Sequence, residues 1–145
     1  MKNNMTDNQR KAHQYLSHIR NTELDIKNKE LELEALRWKA SGVGAIRYDK
    51  DRVQTNPQNY MEMAVADCIE IEAEIEEDRA GIEETKGIAY AIVRKMKKPE
   101  QRALIEWFYL NCLSMADAAQ KMFMSERNAY YLRDDALETF GEYLK

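Results

Sequence analysis

The sequence has few residues that break helices and few that form disulfides. Its 145 residues include five glycines, two prolines and two cysteines, beside 33% charged residues. This composition favours long helices over sheets. Because Cys68 and Cys112 each lie in a helical pattern, a disulfide framework is not expected. We interpret both as reduced, buried thiols in a cytoplasm.

A long apolar run is also missing. No stretch of about 18 apolar residues occurs, so no membrane span is expected. The N-terminal sequence MKNNMTDNQRKAHQ is polar and lacks the apolar stretch of a secretory signal. We therefore expect a cytoplasmic protein that has no membrane partner.

Acidic charge is concentrated in the middle of the chain. Residues 59–93 hold ten Asp/Glu and two Lys/Arg. Residues 94–145 hold eight Asp/Glu and nine Lys/Arg, and residues 1–58 hold eight Asp/Glu and eleven Lys/Arg. The net charge of -4 therefore says little about the C-terminal part, which has to be judged alone. We interpret the acidic run as the solvated face of a helix. The alternative is an acidic surface that docks a basic partner.

Residues 8–40 are predicted to form one amphipathic helix, which ends at the glycines of SGVG. We expect Trp38, like Trp107 further along the chain, to pack in the core or against the second long helix. The alternative for both is an exposed face for RNA polymerase or another protein. Two lines of apolar residues follow the helical period: Ile19, Ile26, Leu33 and Ala40, and beside them Leu24, Leu31 and Trp38.

Residues 59–96 are predicted to form the second long helix, because they carry a heptad seam. Matching seams on the two helices predict an antiparallel hairpin, and an intermolecular coiled coil that makes a homodimer is the competing use of the pattern. Residues 41–58 form a connector that is long for a helix–helix loop. Hairpin and connector make up the first predicted domain, residues 1–96. The seam consists of Met61, Cys68, Ile75, Ile82, Ala89 and Met96.

The second predicted domain, residues 97–145, contains three shorter helices. Pro99 suits the first turn of the first helix, and Ser114 and Ser125 are placed to cap the second and third. Ala119 supplies the small residue that a helix-turn-helix needs where its two helices cross, and FMS supplies the short corner. The outer face at the start of the third helix is then free to enter a major groove.

The predicted DNA-binding residues lie on this outer face and just before the three helices. Arginine and asparagine can contact base edges, and tyrosine can hydrogen-bond a phosphate or touch a thymine methyl. The basic side chains upstream can neutralise phosphates, and the dipole at a helix end favours the same charges without DNA. The predicted set is Ser125, Glu126, Arg127, Asn128, Tyr130, Tyr131 and Arg133, with Lys97, Lys98 and Arg102.

No catalytic constellation is visible in the sequence. His13 and His18 are five residues apart, on different sides of a helix, and DKD at 49–51 is too short for a calcium loop. The sequence contains neither a glycine-rich phosphate loop nor a nucleophile with an obvious base partner. We expect no enzymatic activity, no metal site and no cofactor.

The C-terminal stretch LSMADAAQKMFMSERNAYYLRDDAL, residues 113–137, resembles the helix-turn-helix of sigma-factor region 4. The whole chain resembles the ArpU/RinA-type phage transcriptional regulators, and YDKDRVQTNPQNYMEMAV at 48–65 is similar to their connector. The resemblance implies a DNA-binding regulator, encoded by a phage or prophage of a Gram-positive host, that acts on late or morphogenesis genes.

Two features depart from the family pattern. Phe123 stands at the corner position that is often glycine. A positive φ there would cost about 1–2 kcal/mol. A corner of a different shape would avoid this cost. Residues 125–145 hold five Asp/Glu and three Lys/Arg. A recognition helix this acidic should bind DNA weakly unless Lys97, Lys98 and Arg102 or a second subunit contribute.

We predict an all-α protein in which a long helical hairpin precedes a three-helix, sigma-region-4-like helix-turn-helix. The predicted function is transcription regulation of the late-gene activator type through double-stranded DNA, with the hairpin either dimerising or docking the RNA polymerase of the bacterial host. The first alternative is a helical adaptor or assembly protein whose C-terminal corner only packs. The second is a phage DNA-packaging subunit, like a small terminase, that binds DNA as a large ring.

Overall fold

The computed structural model of the chain describes residues 5–41 and 57–144. These ranges contain helices and turns and no strand, so the prediction of an all-α protein is confirmed. Residues 42–56, which are most of the predicted connector, lie outside the described residues. The helices are α1 (Asp7–Ala40), α2 (Pro57–Lys95), α3 (Pro99–Leu104), α4 (Met115–Lys121) and α5 (Glu126–Tyr143), and a π-helical segment (Ile105–Leu110) continues α3.

The chain divides into two compact units. The central unit is Asp25–Ala80, and the terminal unit combines Met1–Leu24 with Gly81–Lys145. Residues 97–145, predicted as a DNA-binding domain, therefore share a compact unit with the first turns of α1 and the last turns of α2. The predicted domain boundary after residue 96 stays a prediction.

In the central unit, ion pairs and an apolar seam join α1 and α2. Lys29 Nζ lies 2.8 Å from an Asp78 oxygen and Arg37 lies 2.6 Å from Glu72. Residue numbers thus rise along α1 while they fall along α2, so the two segments are antiparallel. The seam is covered within the chain, and a homodimer through it would have to displace one of these helices. Its buried residues are Ile26, Leu33, Ala64, Cys68, Ile71 and Ile75.

In the apolar line beside the seam on α1, Leu24 is half-buried, and the described residues leave Leu31 and Trp38 exposed. Trp38 is 54% exposed and Leu31 is 65% exposed. The expectation that Trp38 packs in the core is therefore wrong, because heptad spacing marks an apolar line without saying which line meets a neighbour. Trp107, in contrast, is half-buried and packs against a cluster around Leu104, as expected.

The core of the terminal unit joins the two ends of the chain. Leu16 on α1, Tyr109 on the π-helical segment and Phe140 on α5 are each 0% exposed and belong to one buried cluster. Burying aromatic and aliphatic side chains of this size contributes about 1.5–3 kcal/mol each. The cluster also contains Ala12, Ile19, Ala89, Ile92, Val93, Met96, Ile105, Leu110, Ala136 and Leu137.

One polar pair lies against this core. His13 Nδ1 is 2.8 Å from the hydroxyl oxygen of Tyr109. Burial lowers the pKa of His13, and the charge of Arg133 lowers it further. Burial also raises the pKa of the Tyr109 hydroxyl. Both groups are therefore uncharged near neutral pH, and the hydrogen bond between them satisfies a phenol that is buried away from water.

Side-chain hydrogen bonds fasten the start of α1 to α5. Thr6 Oγ1 and Asn8 Nδ2 donate to the two carboxylate oxygens of Glu138, at 2.5 Å and 2.9 Å. These two bonds hold the pKa of Glu138 below its usual value. Gln9 Nε2 donates to the carbonyl of Asp134 at 3.0 Å. The helix that carries most of the predicted DNA-binding residues is thus anchored on its inner side by the chain's N-terminal residues.

Arg20 holds the loop that leads into α4. Its Nε donates to the carbonyl of Phe108 at 2.9 Å, and a terminal nitrogen donates to the carbonyl of Leu113 at 3.2 Å. The guanidinium carbon also lies 4.3 Å from the centre of the Phe108 ring. Between those carbonyls, Cys112 has a φ of 64°, in the left-handed region that L-residues rarely adopt. Arg20 therefore connects α1 to a tight, strained turn.

Candidate nucleic-acid interface

Both helices of the predicted helix-turn-helix begin at a serine cap. Ser114 Oγ accepts from the backbone N–H of Asp117 at 3.1 Å, and Ser125 Oγ accepts from that of Asn128 at 3.1 Å. Each serine has extended backbone angles, as a capping residue should. The sequence prediction of both helix starts is confirmed. It could be made from the sequence because capping depends on residues three positions apart.

The two helices meet through small side chains. Ala118 is 0% exposed, Ala119 is 2% exposed and Ala129 is 0% exposed, and all three belong to one buried cluster. Leu132 and Met122 are only half-buried at its margin. Ala119 is thus buried as predicted, and the absence of a longer side chain there lets the two helices approach closely.

The corner between α4 and α5 is a Schellman motif. The backbone N–H of Met124 donates to the carbonyl of Ala119 at 3.1 Å, and that of Phe123 donates to Gln120 at 3.2 Å. This pattern needs a left-handed residue, usually glycine, at the position of Phe123. Phe123 has a φ of 59° and is 96% exposed. The corner keeps the shape that glycine would give it, so the different shape considered from the sequence is not adopted.

Replacing Phe123 with glycine is expected to stabilise the protein by about 1 kcal/mol. The change relieves about 1–2 kcal/mol of left-handed strain and costs about 0.5–1 kcal/mol of chain entropy. Little burial is lost, because the ring is almost wholly exposed. Urea unfolding measures the difference. Phe123→Ala is the matched control, since it removes the ring and keeps the strain. A Phe123→Gly variant no more stable than Phe123→Ala would contradict this account.

The outer face of α5 is open over its first two turns. Arg127 and Asn128 are exposed, as are the capping residue Ser125 and its neighbour Glu126. Tyr131 is 57% exposed, and its hydroxyl accepts from Arg127 Nε at 3.3 Å. The Arg127 guanidinium carbon lies 5.9 Å from the centre of the same ring. The tyrosine thus restricts the rotamers of an arginine that points into solvent.

Tyr130 and Arg133 form a second pair further along the helix. Tyr130 is 42% exposed, and the Arg133 guanidinium lies 5.3 Å from the centre of its ring. The Arg133 side chain is only 20% exposed and pairs with Asp134 at 3.1 Å. Its Nε has no hydrogen-bond partner in the part of the chain that the structure describes. Arg133 is therefore less accessible than Arg127, which the helical period alone did not indicate.

The three upstream basic residues differ in how they are held. Lys97 and Lys98 are exposed in the turn between α2 and α3. Arg102 is half-buried and donates to the carbonyl of Met96 at 2.7 Å, so its charge also caps the end of α2. Lys121, which the sequence analysis did not select, is exposed at the end of α4, with Nζ 5.2 Å from the centre of the Trp107 ring. The sequence signal that could have selected Lys121 is its place as a basic residue in the last turn of a helix.

The acidic residues of α5 other than Glu126 lie beyond its first two turns. Glu138 accepts from Thr6 and Asn8, and Asp134 pairs with Arg133. Glu126 is in the first turn of α5, where the helix dipole favours a negative charge. Most of the acidity of residues 125–145 therefore lies beyond the turns that carry Arg127, and Glu126 is the acidic residue beside it.

Among the described residues, no three His, Cys, Asp or Glu side chains converge as metal ligands would. Within the same ranges no helix is both long and apolar enough to cross a bilayer. In comparisons with protein-family profiles, with curated proteins and with solved structures, the chain matches none of them.

Proposed function

We propose that the chain binds double-stranded DNA and regulates transcription through a sigma-region-4-like helix-turn-helix formed by α4 and α5. The observation that carries the proposal is the start of α5. Arg127, Asn128 and Tyr131 are exposed together there, behind a serine cap. The inner side of the same turns is closed by the buried Ala129. Had the three outer residues been buried, this face would have no surface to offer to DNA.

The chemistry of the exposed residues suits a major groove. An arginine donates two parallel hydrogen bonds to guanine, and an asparagine can do the same with adenine. Lys97 and Lys98 suit phosphate contacts, which raise affinity without reading sequence. The Arg127–Tyr131 contact lowers the entropy that the arginine loses when it is fixed against a base.

The remainder of the chain has a supporting role in this proposal. α1 and α2 form a long helical hairpin, which the antiparallel ion pairs of the central unit support. The hairpin fixes the geometry of the DNA-binding module and offers a surface for the host RNA polymerase. The resemblance to ArpU/RinA-type regulators supports a phage or prophage protein that controls late genes in the cytoplasm of a bacterial host.

Arg127→Ala is expected to lower affinity for DNA from the chain's own locus by about 1–3 kcal/mol, or roughly 5- to 150-fold. Fluorescence anisotropy across a salt series, beside a random duplex, measures it. Arg79→Ala is the matched control, since it removes an exposed arginine that pairs with Glu30 in the central unit. Binding that prefers the locus, weakens with salt and is lost only with Arg127 would support the proposal.

A Lys97→Ala variant separates phosphate contacts from base contacts. It should weaken binding to both duplexes alike and reduce the salt slope by about one. If neither duplex binds at low salt and Arg127→Ala behaves like Arg79→Ala, the proposed function is wrong for these DNA sequences and the interface has another ligand.

A protein-binding adaptor is the second candidate function. The observation that favours it is Phe123, whose backbone is in the left-handed region and whose side chain is 96% exposed at the corner. A large exposed aromatic contributes to protein interfaces more than to a charged DNA backbone. In that case Phe123→Gly would abolish partner binding, whereas DNA binding through α5 would survive the same change.

A further inference from the structure

A second apolar stripe runs along the solvent side of α1 in the central unit. Leu31 is 65% exposed and Trp38 is 54% exposed. Asn28 and Ala35 are exposed as well. The same helix buries Leu33, which is 7% exposed, in the seam with α2. α1 therefore has one apolar line that α2 covers and another that the described residues leave open.

The open stripe follows the spacing of a coiled coil. From Asn28 the steps are three residues to Leu31, four to Ala35 and three to Trp38. In heptad notation Asn28 and Ala35 occupy a positions, and Leu31 and Trp38 occupy d positions. A helix with an a/d stripe packs side chains into the holes of a facing helix. The stripe is therefore shaped for a further helix.

We propose that this further helix is α1 of a second copy, parallel and in register. The charges beside the stripe favour this partner. In a parallel pair, each g position faces the next e position of the other chain. Lys27 then faces Glu32, and Glu34 faces Lys39, and each pair forms twice by symmetry. All four contacts join opposite charges, so the stripe is complementary to itself.

Asn28 favours the same orientation. In the parallel register it faces Asn28 of the second copy, and the two amides can hydrogen-bond each other. One asparagine at an a position is a known determinant of register and of the number of strands. In an antiparallel pair an a position faces a d position, so the amide would lie against a leucine or tryptophan without a partner, which is unfavourable.

The interface is small. Its four core positions span about 15 Å of helix, and the buried area falls below the roughly 1,200 Å² of a strong complex. α1 is already helical in the central unit, so pairing requires no folding. One side chain has to adjust, because Lys39 Nζ lies 5.9 Å from the centre of the Tyr60 ring. A dimer in exchange with monomer at micromolar concentration is the expected state.

Sedimentation velocity of the full chain, from low micromolar to submillimolar concentration, tests the partner. Wild type should show a monomer–dimer equilibrium. Leu31→Glu and Trp38→Glu should each raise the dimer dissociation constant at least tenfold, since they place charges at d positions. The control is Ile69→Glu, because Ile69 is 62% exposed on α2 of the same unit. A monomeric wild type, or a dimer that Leu31→Glu does not weaken, would overturn the proposal.

Two further variants test the orientation. Ala35→Cys should give a disulfide-linked dimer under mild oxidation, because only the parallel register brings the two residues close enough. The native chain is the control, because it contains the same two other cysteines, of which Cys68 is buried and Cys112 is half-buried. Lys27→Glu should weaken the dimer, and adding Glu32→Lys should restore it. Absence of both the cross-link and the restoration would overturn the parallel register. No DNA is present, so failure here is distinct from failure of the proposed function.

Discussion

Replacing Gly141 with alanine is expected to destabilise the protein by about 2 kcal/mol, even though alanine favours helices by about 1 kcal/mol. Gly141 is buried in α5 against the first turn of α1. A Cβ atom there would lie 2.2 Å from the carbonyl oxygen of Asn8 and 2.7 Å from its carbonyl carbon. Both are backbone atoms, so α1 and α5 would have to separate.

The same substitution at two other glycines should have the opposite sign. Gly81 and Gly87 lie in α2, are exposed, and have no atom within 4 Å of an added Cβ among the described residues. Each change to alanine should stabilise the protein by up to about 1 kcal/mol. Thermal or urea unfolding of the three variants measures the contrast. Equal effects at Gly141 and Gly81 would show that α5 does not approach α1 as described.

Arg20→Ala is expected to destabilise the protein by about 2–3 kcal/mol. Hydrogen bonds from a charged donor contribute about 1.5–3 kcal/mol, and Arg20 donates to the carbonyls of Phe108 and Leu113. The variant also loses the contact of the guanidinium with the Phe108 ring. The loop before α4 should open first, and faster hydrogen exchange of the α4 amides would report it.

Two controls distinguish geometry from charge at this position. Arg20→Lys keeps the positive charge but has no planar fork, so it should recover less than half of the loss. Arg10→Ala removes an arginine of α1 whose partner, Asp7, is 93% exposed. Exposed pairs of this kind contribute at most about 1 kcal/mol. If Arg20→Ala were as stable as Arg10→Ala, Arg20 would not hold the loop.

Local features of the fold could be predicted from the sequence. The caps at Ser114 and Ser125 depend on residues three positions apart, and the burial of Ala119 follows from helical spacing. Exposure of Arg127 and Asn128 follows once Ala129 is placed inside. Each of these predictions needs only the period of a helix and the chemistry of its ends.

Features that depend on distant contacts could not be predicted. The close approach of Gly141 to Asn8 joins residues more than 130 positions apart, and no pattern in either segment indicates it. Arg102 and Arg133 look like free cations in the sequence, but both are half-buried, where Arg102 donates to the carbonyl of Met96 and Arg133 pairs with Asp134. The segment Ile105–Leu110 is π-helical, whereas an ordinary helix was predicted there.

The terminal unit combines segments that are far apart in the sequence, and this determines when it can form during synthesis. Leu16 leaves the ribosome long before Leu137 and Phe140 on α5, which belong to the cluster that buries it. Until α5 has been synthesised, the apolar side of the first turns of α1 has no complete core to enter. Contacts of such large sequence separation slow folding and prolong exposure of apolar surface. The nascent chain is therefore a candidate for chaperone binding at α1, and the core beneath the exposed face of α5 is completed only after α5 has been synthesised.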